Sequence, residues 1–288
     1  MGCQWVYILN LTGAVVEMDK SVKAFVVAAA GVFFALHAVM GAGKFNIAEH
    51  TLAKEFTGKG GKTFRYRISE KAATDGSRIP LVFFLHGAGE RGTNNVAQLL
   101  HGVTDLVRWL DAHEKGYRLI AGQVPAGKRW VEVNWAAKSH KMPEEPSETM
   151  ALLMEMLDLQ LADPAVDASR VYVTGISMGG YGTWDLISRR PDVFAAALPV
   201  CGGGDTAQAP KIAKIPVWTF HGSADGAVPV CRSRDMVSAL WANGSNAHYR
   251  EYPDAGHGVW GVTYRDRSVL AWFFRQRKKS VCAGERRP

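Results

Sequence analysis

Val171-Tyr-Val-Thr-Gly-Ile-Ser-Met-Gly-Gly-Tyr-Gly-Thr-Trp184 is the stretch that decides the fold. Residues 171–174 are a β-rich run suited to a buried strand. Gly175-Ile-Ser-Met-Gly179 follows, and residues 181–190 read as a helix stopped by Pro191. Strand, tight turn and helix form the setting in which a G-x-S-x-G pattern presents a serine on a strained elbow. Such a turn leaves no room for side chains two residues before and after the serine, and glycine stands at both positions. A helix that begins beside Ser177 also aims its first amides at any negative charge developing there.

Outward from this unit the chain alternates strands and helices. Ile79–Leu85 is a continuous apolar run, as expected of a strand covered on both faces, and it ends in His86-Gly-Ala-Gly-Glu-Arg-Gly92. Before it, residues 45–56 and 62–68 read as a hairpin around Gly58-Lys-Gly-Gly61. After it, Val96, Leu99, Leu100, Val103, Leu106, Val107 and Leu110 predict a helix over 95–112. A strand at 118–124 follows, then a polar stretch without periodicity over 127–146. Ser147 is the expected N-cap of a helix with its apolar body at 150–161. Further strands are expected at 194–201, 216–221 and 247–252, and helices at 230–242 and 264–275. The pattern implies the α/β class: a mostly parallel sheet opened by an antiparallel hairpin, with helices on both faces. Only residues 202–214 separate two late strands, too few for a large cap domain, so the site is expected to be open.

The 288 residues, 47% of them hydrophobic, suit one large domain with a real core. The expected organisation is an N-terminal extension and signal peptide at 1–42, an α/β domain at 43–277 and a basic tail at 278–288. From about Met18, a short charged lead, the apolar run 25–39 and the small residues of 39–43 give the three-part layout of a secretory signal, cleaved near Gly41 to Ala42. A secreted or periplasmic protein follows, a membrane anchor being the alternative. The net charge of +7 is partly local to the C-terminus. No basic face interleaved with aromatics argues for nucleic acid. The four cysteines lack C-x-x-C spacing, so neither zinc nor another metal or cofactor is expected. Cys201 and Cys231 each follow an expected strand on one sheet edge; a disulfide and two free thiols are both open.

In such a sheet, functional groups gather at the carboxyl ends of strands. Ser177, Asp225, His257 and the 86–92 loop all fall there. A serine hydroxyl needs a base, and the imidazole that serves as one needs a carboxylate to hold it. Ser177 as nucleophile, His257 as base and Asp225 as acid are therefore the expected triad, with Asp205 the alternative acid. Asp254 is too close in sequence to His257 and is expected to shape its turn. His86 and His221, each ending a strand before glycine, are expected to bond loop backbone. The oxyanion hole is expected from the amides of Met178 and Ala88, with Gly87 as alternative. Glu90 and Arg91 are expected to pair. Trp130, Trp135, Trp184 and Trp260 lie on segments able to reach a substrate rim; core packing is the leading reading for Trp184 and stands level with the rim reading for Trp130 and Trp135.

These motifs (residues 81–92, 175–184, 220–225 and 255–257) resemble the α/β-hydrolase superfamily over 45–277, in which the order serine, acid, histidine recurs. More narrowly, they resemble secreted esterases related to polyhydroxybutyrate depolymerases and feruloyl esterases, often labelled prolyl-oligopeptidase-like. The resemblance implies a serine carboxylester hydrolase acting on short-chain, aryl, feruloyl or polyester-related esters. A serine peptidase and a non-catalytic carbohydrate- or phenolic-binding homologue are the alternatives.

Overall fold

The computed structural model describes residues 6–9, 15–18 and 45–278. The chain divides into two units, Met1–Asn46 and Ile47–Pro288. The described part of the first is an antiparallel pair, β1 (Val6–Leu9) and β2 (Val15–Met18). The apolar run and cleavage site of the expected signal peptide lie outside the described residues, as do residues 279–288 of the expected tail. Among the described residues, no helix is long and apolar enough to cross a membrane.

The second unit is built on β3 (Leu52–Thr57), β4 (Thr63–Lys71), β5 (Ile79–Leu85), β6 (Tyr117–Gln123), β7 (Val166–Ile176), β8 (Ala196–Val200), β9 (Trp218–Gly222) and β10 (His248–Tyr252). They form one sheet in the order β10-β9-β8-β7-β5-β6-β4-β3. β4 runs antiparallel to both β3 and β6, and every other neighbouring pair is parallel. The mostly parallel sheet with an antiparallel opening is thus the observed one. Its helices are α1 (Val103–His113), α2 (Glu148–Leu161), α3 (Met178–Arg189), α4 (Ala209–Ile212), α5 (Cys231–Ala242), α6 (Trp260–Arg265) and α7 (Arg267–Arg275).

Successive strand residues point to opposite faces, so the central strands must be apolar on both. β5 is buried at all seven positions. Leu81, Phe83, Leu85, Val171 and Val173 join the core that takes Leu153 and Leu157 of α2 and Trp184 of α3. The alternate positions meet the other layer. Phe84 lies edge-on to Tyr264 at 6.0 Å, Tyr172 packs on Phe273 and Phe274, and Thr174 bonds the Tyr264 hydroxyl.

Three elements depart from expectation. The first strand starts at Leu52, because residues 47–50 form a turn. The Thr51 hydroxyl donates to Ile47 O, and the Arg67 guanidinium donates to the carbonyls of Ala48 and Thr51, bonds that compete with strand pairing. The helix expected from 95 begins at Val103 instead. Asn95 sits at φ 53° with its amide donating to Lys54 O and Tyr66 O, and Gly102 sits at φ 76°. The last helix is two, because Asp266 caps α7 by accepting from Ser268 N.

Candidate active site

Ser177 stands between the last residue of β7 and the first of α3, at φ 54° and ψ −118°. A Cβ at Gly175 would lie 2.4 Å from Gly179 O, and one at Gly179 would lie 1.9 Å from Leu85 O. No side chain fits at either position, which is why the pattern needs both glycines. The Ser177 amide donates to Val200 O on the neighbouring strand, fixing the elbow to β8.

The other two groups come from the next strand ends. Asp225 follows β9 and His257 follows β10, and their loops are sewn together: Ser223 N donates to Tyr252 O, Ala224 N to Ala255 O, and Asp254 N to the Ser223 hydroxyl. Asp254 thus shapes the histidine turn, at φ 55°. His257 Nε2 is 2.8 Å from Ser177 Oγ, and His257 Nδ1 is 2.6 Å from Asp225 Oδ2. The Asp225 side chain is fully buried while the imidazole keeps some exposure. Burial works against the Asp225 charge. Hydrogen bonds from His221 and His257, then from the Val228 and Ala227 amides, outweigh it and hold the carboxyl well below the usual range.

Asp205 is elsewhere. Its carboxylate accepts from the amides of Met142 and Ala207 and from the Gln208 side chain. The alternative acid is therefore a loop cap.

The 86–92 loop lies against the serine: a Cβ at Gly87 would be 3.5 Å from Ser177 Cβ. Met178 is the first residue of α3, so its amide has no carbonyl four residues back within the helix. His86 is fully buried and holds the loop through backbone, as expected, with Nδ1 on Gly87 O and Nε2 accepting from Val124 N. Burial pushes its pKa down to about 4. Glu90 and Arg91 do not pair. Arg91 Nε donates to Ala88 O, while Glu90 is buried with Oε1 3.6 Å from His101 Nε2.

The tryptophans separate into two pairs. Trp260 is half-buried and stands edge-on to His257 at 5.2 Å. Trp135 is half-buried beneath Arg129, 4.3 Å from its centroid, and its carbonyl accepts from Tyr181 OH. Trp130 and Trp184 are fully buried, so core packing holds for both and neither reaches a substrate rim. Trp130 packs between Phe64 and His86 and donates its indole N–H to His86 O; Trp184 faces the core from the inner side of α3.

Cys201 and Cys231 are free thiols. Cys201 Sγ donates to His257 O, 3.2 Å away, whereas Cys231 Sγ points to Lys138 O at 4.0 Å. Burial, then the Asp225 charge, pushes the Cys201 thiol up. Cys201, Asp225 and His257 offer three potential ligand atoms within 4.8 Å of one another, all of them engaged in the hydrogen bonds just described. A separate cleft of about 1010 Å³ opens beside Pro191, Lys214, Asn246 and Trp272, and none of the three site residues lines it.

The family model of the dienelactone hydrolases matches residues 102–268, a range that contains Ser177, Asp225 and His257. The chain belongs to the dienelactone hydrolase family. A solved thermostable esterase is similar over 94% of this chain and 70% of its own, with 31% identity and a TM-score of 0.73. An uncharacterized secreted protein of Arthroderma benhamiae is 26% identical over 233 residues, 69% of this chain and 23% of that protein. A poly(3-hydroxyalkanoate) depolymerase C of Paucimonas lemoignei is 45% identical over 51 residues, 18% of this chain and 12% of its own length. The chain spans less than a quarter of the length of these two curated relatives.

Two residues beside the site carry little signal in the sequence alone. His101 was hidden in a helical pattern, yet its ring tilts against Trp260 at 5.5 Å. His221 Nε2 approaches the backbone as expected, at 3.1 Å from Val228 O, but lies equally close, at 3.1 Å, to Asp225 Oδ2. Its position four residues before the acid was the available signal.

Proposed function

We propose that the chain is a serine carboxylester hydrolase acting through an acyl-enzyme on short-chain or aryl esters. The observation that carries this reading is the continuous contact Ser177 Oγ, His257 Nε2, His257 Nδ1, Asp225 Oδ2, at 2.8 and 2.6 Å. His257 takes the hydroxyl proton as Ser177 Oγ attacks the ester carbonyl carbon. Met178 and Ala88 amides receive the oxyanion, Gly87 serving as the alternative donor. The tetrahedral intermediate collapses, the C–O bond to the alcohol breaks, and His257 returns the proton to the departing oxygen. Water, deprotonated by the same imidazole, then releases the acid. Asp225 holds the ring in the Nδ1–H tautomer and stays ionised throughout. Trp260 and Trp135 supply aromatic surface for an aryl acid or a sugar.

The test is hydrolysis of p-nitrophenyl acetate and butyrate by Ser177→Ala. We expect a loss of about a thousandfold or more with an unchanged melting temperature. Turnover by the variant within tenfold of the parent would remove Ser177 from the mechanism. The same proposal includes export. The likeness to a fungal protein named as secreted supports the signal peptide from about Met18. A mature chain that still retains residues 18–41 would overturn it.

A further inference from the structure

His221 is fully buried at the end of β9 and takes no part in the acyl-transfer steps above. Both neighbours of its Nε2, Asp225 Oδ2 and Val228 O at 3.1 Å each, are acceptors, so this nitrogen carries the proton and donates. On the other side of the ring, Nδ1 lies 2.7 Å from the Ser233 hydroxyl oxygen. The Ser233 hydroxyl donates to Gly202 O at 3.1 Å, which ties the contact at Nδ1 to the loop after β8.

On the other side, an ionised carboxylate has about four lone-pair positions. Asp225 fills them. Oδ1 accepts from Ala227 N at 2.8 Å and Val228 N at 2.9 Å, and Oδ2 accepts from His257 Nδ1 and shares the single His221 Nε2–H with Val228 O. Two of these donors fix one oxygen to the loop. The fourth fixes the rotation of the carboxylate, so that Oδ2 faces His257.

We infer that His221 is a positioning residue of the site: a second imidazole that clamps the Asp225 carboxylate so that His257 is held in line with Ser177. The inference rests on the ester-hydrolase reading for its kinetic consequence, though not for the hydrogen bond itself. Removing the donor leaves a buried lone pair on Asp225 unfilled, a loss felt when His257 becomes charged in the transition state.

Two substitutions separate clamping from packing. His221→Phe keeps a ring and loses the donor. His221→Gln places an amide N–H near the Nε2 position. With p-nitrophenyl butyrate we expect His221→Phe to lower kcat about 10- to 100-fold at little changed KM, and His221→Gln to restore kcat to within about threefold of the parent. The low-field proton resonance of the His257–Asp225 hydrogen bond should shift in His221→Phe and return in His221→Gln. That readout does not depend on turnover. If His221→Phe does not fold, Ser233→Ala, which removes the hydroxyl 2.7 Å from His221 Nδ1 and so frees the ring, should lower kcat several-fold at constant KM. Parental kcat and an unmoved resonance in a folded His221→Phe, or in Ser233→Ala, would overturn the inference. Equal impairment of the Phe and Gln variants would do the same. An inactive parent with an intact resonance would instead count against the ester-hydrolase reading alone.

Discussion

Four described residues other than glycine have positive φ, and three of them, Ser177, Cys201 and Asp254, follow β7, β8 and β10 at the site. Such conformations cost roughly 1–3 kcal/mol each and persist where surrounding structure over-determines them. Here the surroundings are the backbone bonds of Ser177 to Val200 and of Cys201 to Phe220, and the bond from Asp254 N to Ser223. Trp260 is the residue on which substrate choice should turn, since its indole stands against the imidazole that performs the proton transfers. We expect Trp260→Ala to raise KM for an aryl or feruloyl ester about 2- to 12-fold more than KM for an acetyl ester, the range of one aromatic contact. A steady-state comparison of the two esters checks this, and an equal rise for both would assign Trp260 to supporting His257 alone. Residue type did not separate the four tryptophans. Trp130 and Trp184 are as aromatic as Trp135 and Trp260, and only burial distinguishes them.

The elbow is an element-scale device, made by β5, β7 and α3 together. Gly179 shows why: the atom its Cβ would strike, at 1.9 Å, is the carbonyl oxygen of Leu85, on the adjacent strand. Backbone in the centre of a parallel sheet has nowhere to move. Gly179→Ala should therefore cost about 3 kcal/mol or more in denaturant unfolding. Gly60→Ala, with open space at its Cβ, should stay within about 0.5 kcal/mol. Comparable losses in both would mean the clash is relieved by movement of α3. The strand-turn-helix unit was legible because its chemistry is local. The helix expected over 95–112 was not. Val96, Leu99 and Leu100 keep helical spacing, yet Asn95 spends its side chain on the carbonyls of Lys54 and Tyr66, which are distant in sequence. A local pattern contains no trace of that competition.

At the scale of the whole molecule, two histidines kept from charging tie stability to acidity. His86 and His140 are each held near a pKa of about 4, by burial first and in His140 also by Arg232. The unfolded chain protonates them near the ordinary value of 6.5. Between those values the unfolded state binds more protons, so stability falls as pH drops through that window. For His86 the loss should be on the order of 3 kcal/mol from pH 7 to 4. Denaturant unfolding at several pH values measures it, and His86→Asn should flatten the slope in that window. An unchanged slope would place the acid sensitivity elsewhere. The alternation of strands and helices, the elbow and the order of Ser177, Asp225 and His257 are readable in the chain alone, because period, glycine placement and strand-end position are properties of short stretches. That Asp205 is a cap, that Cys201 and Cys231 stay apart, that two tryptophans belong to the core and that a second imidazole rests beside Asp225 emerge with folding. Those outcomes depend on which strand ends become neighbours in the sheet, and neighbourhood across a sheet is a property of the folded chain.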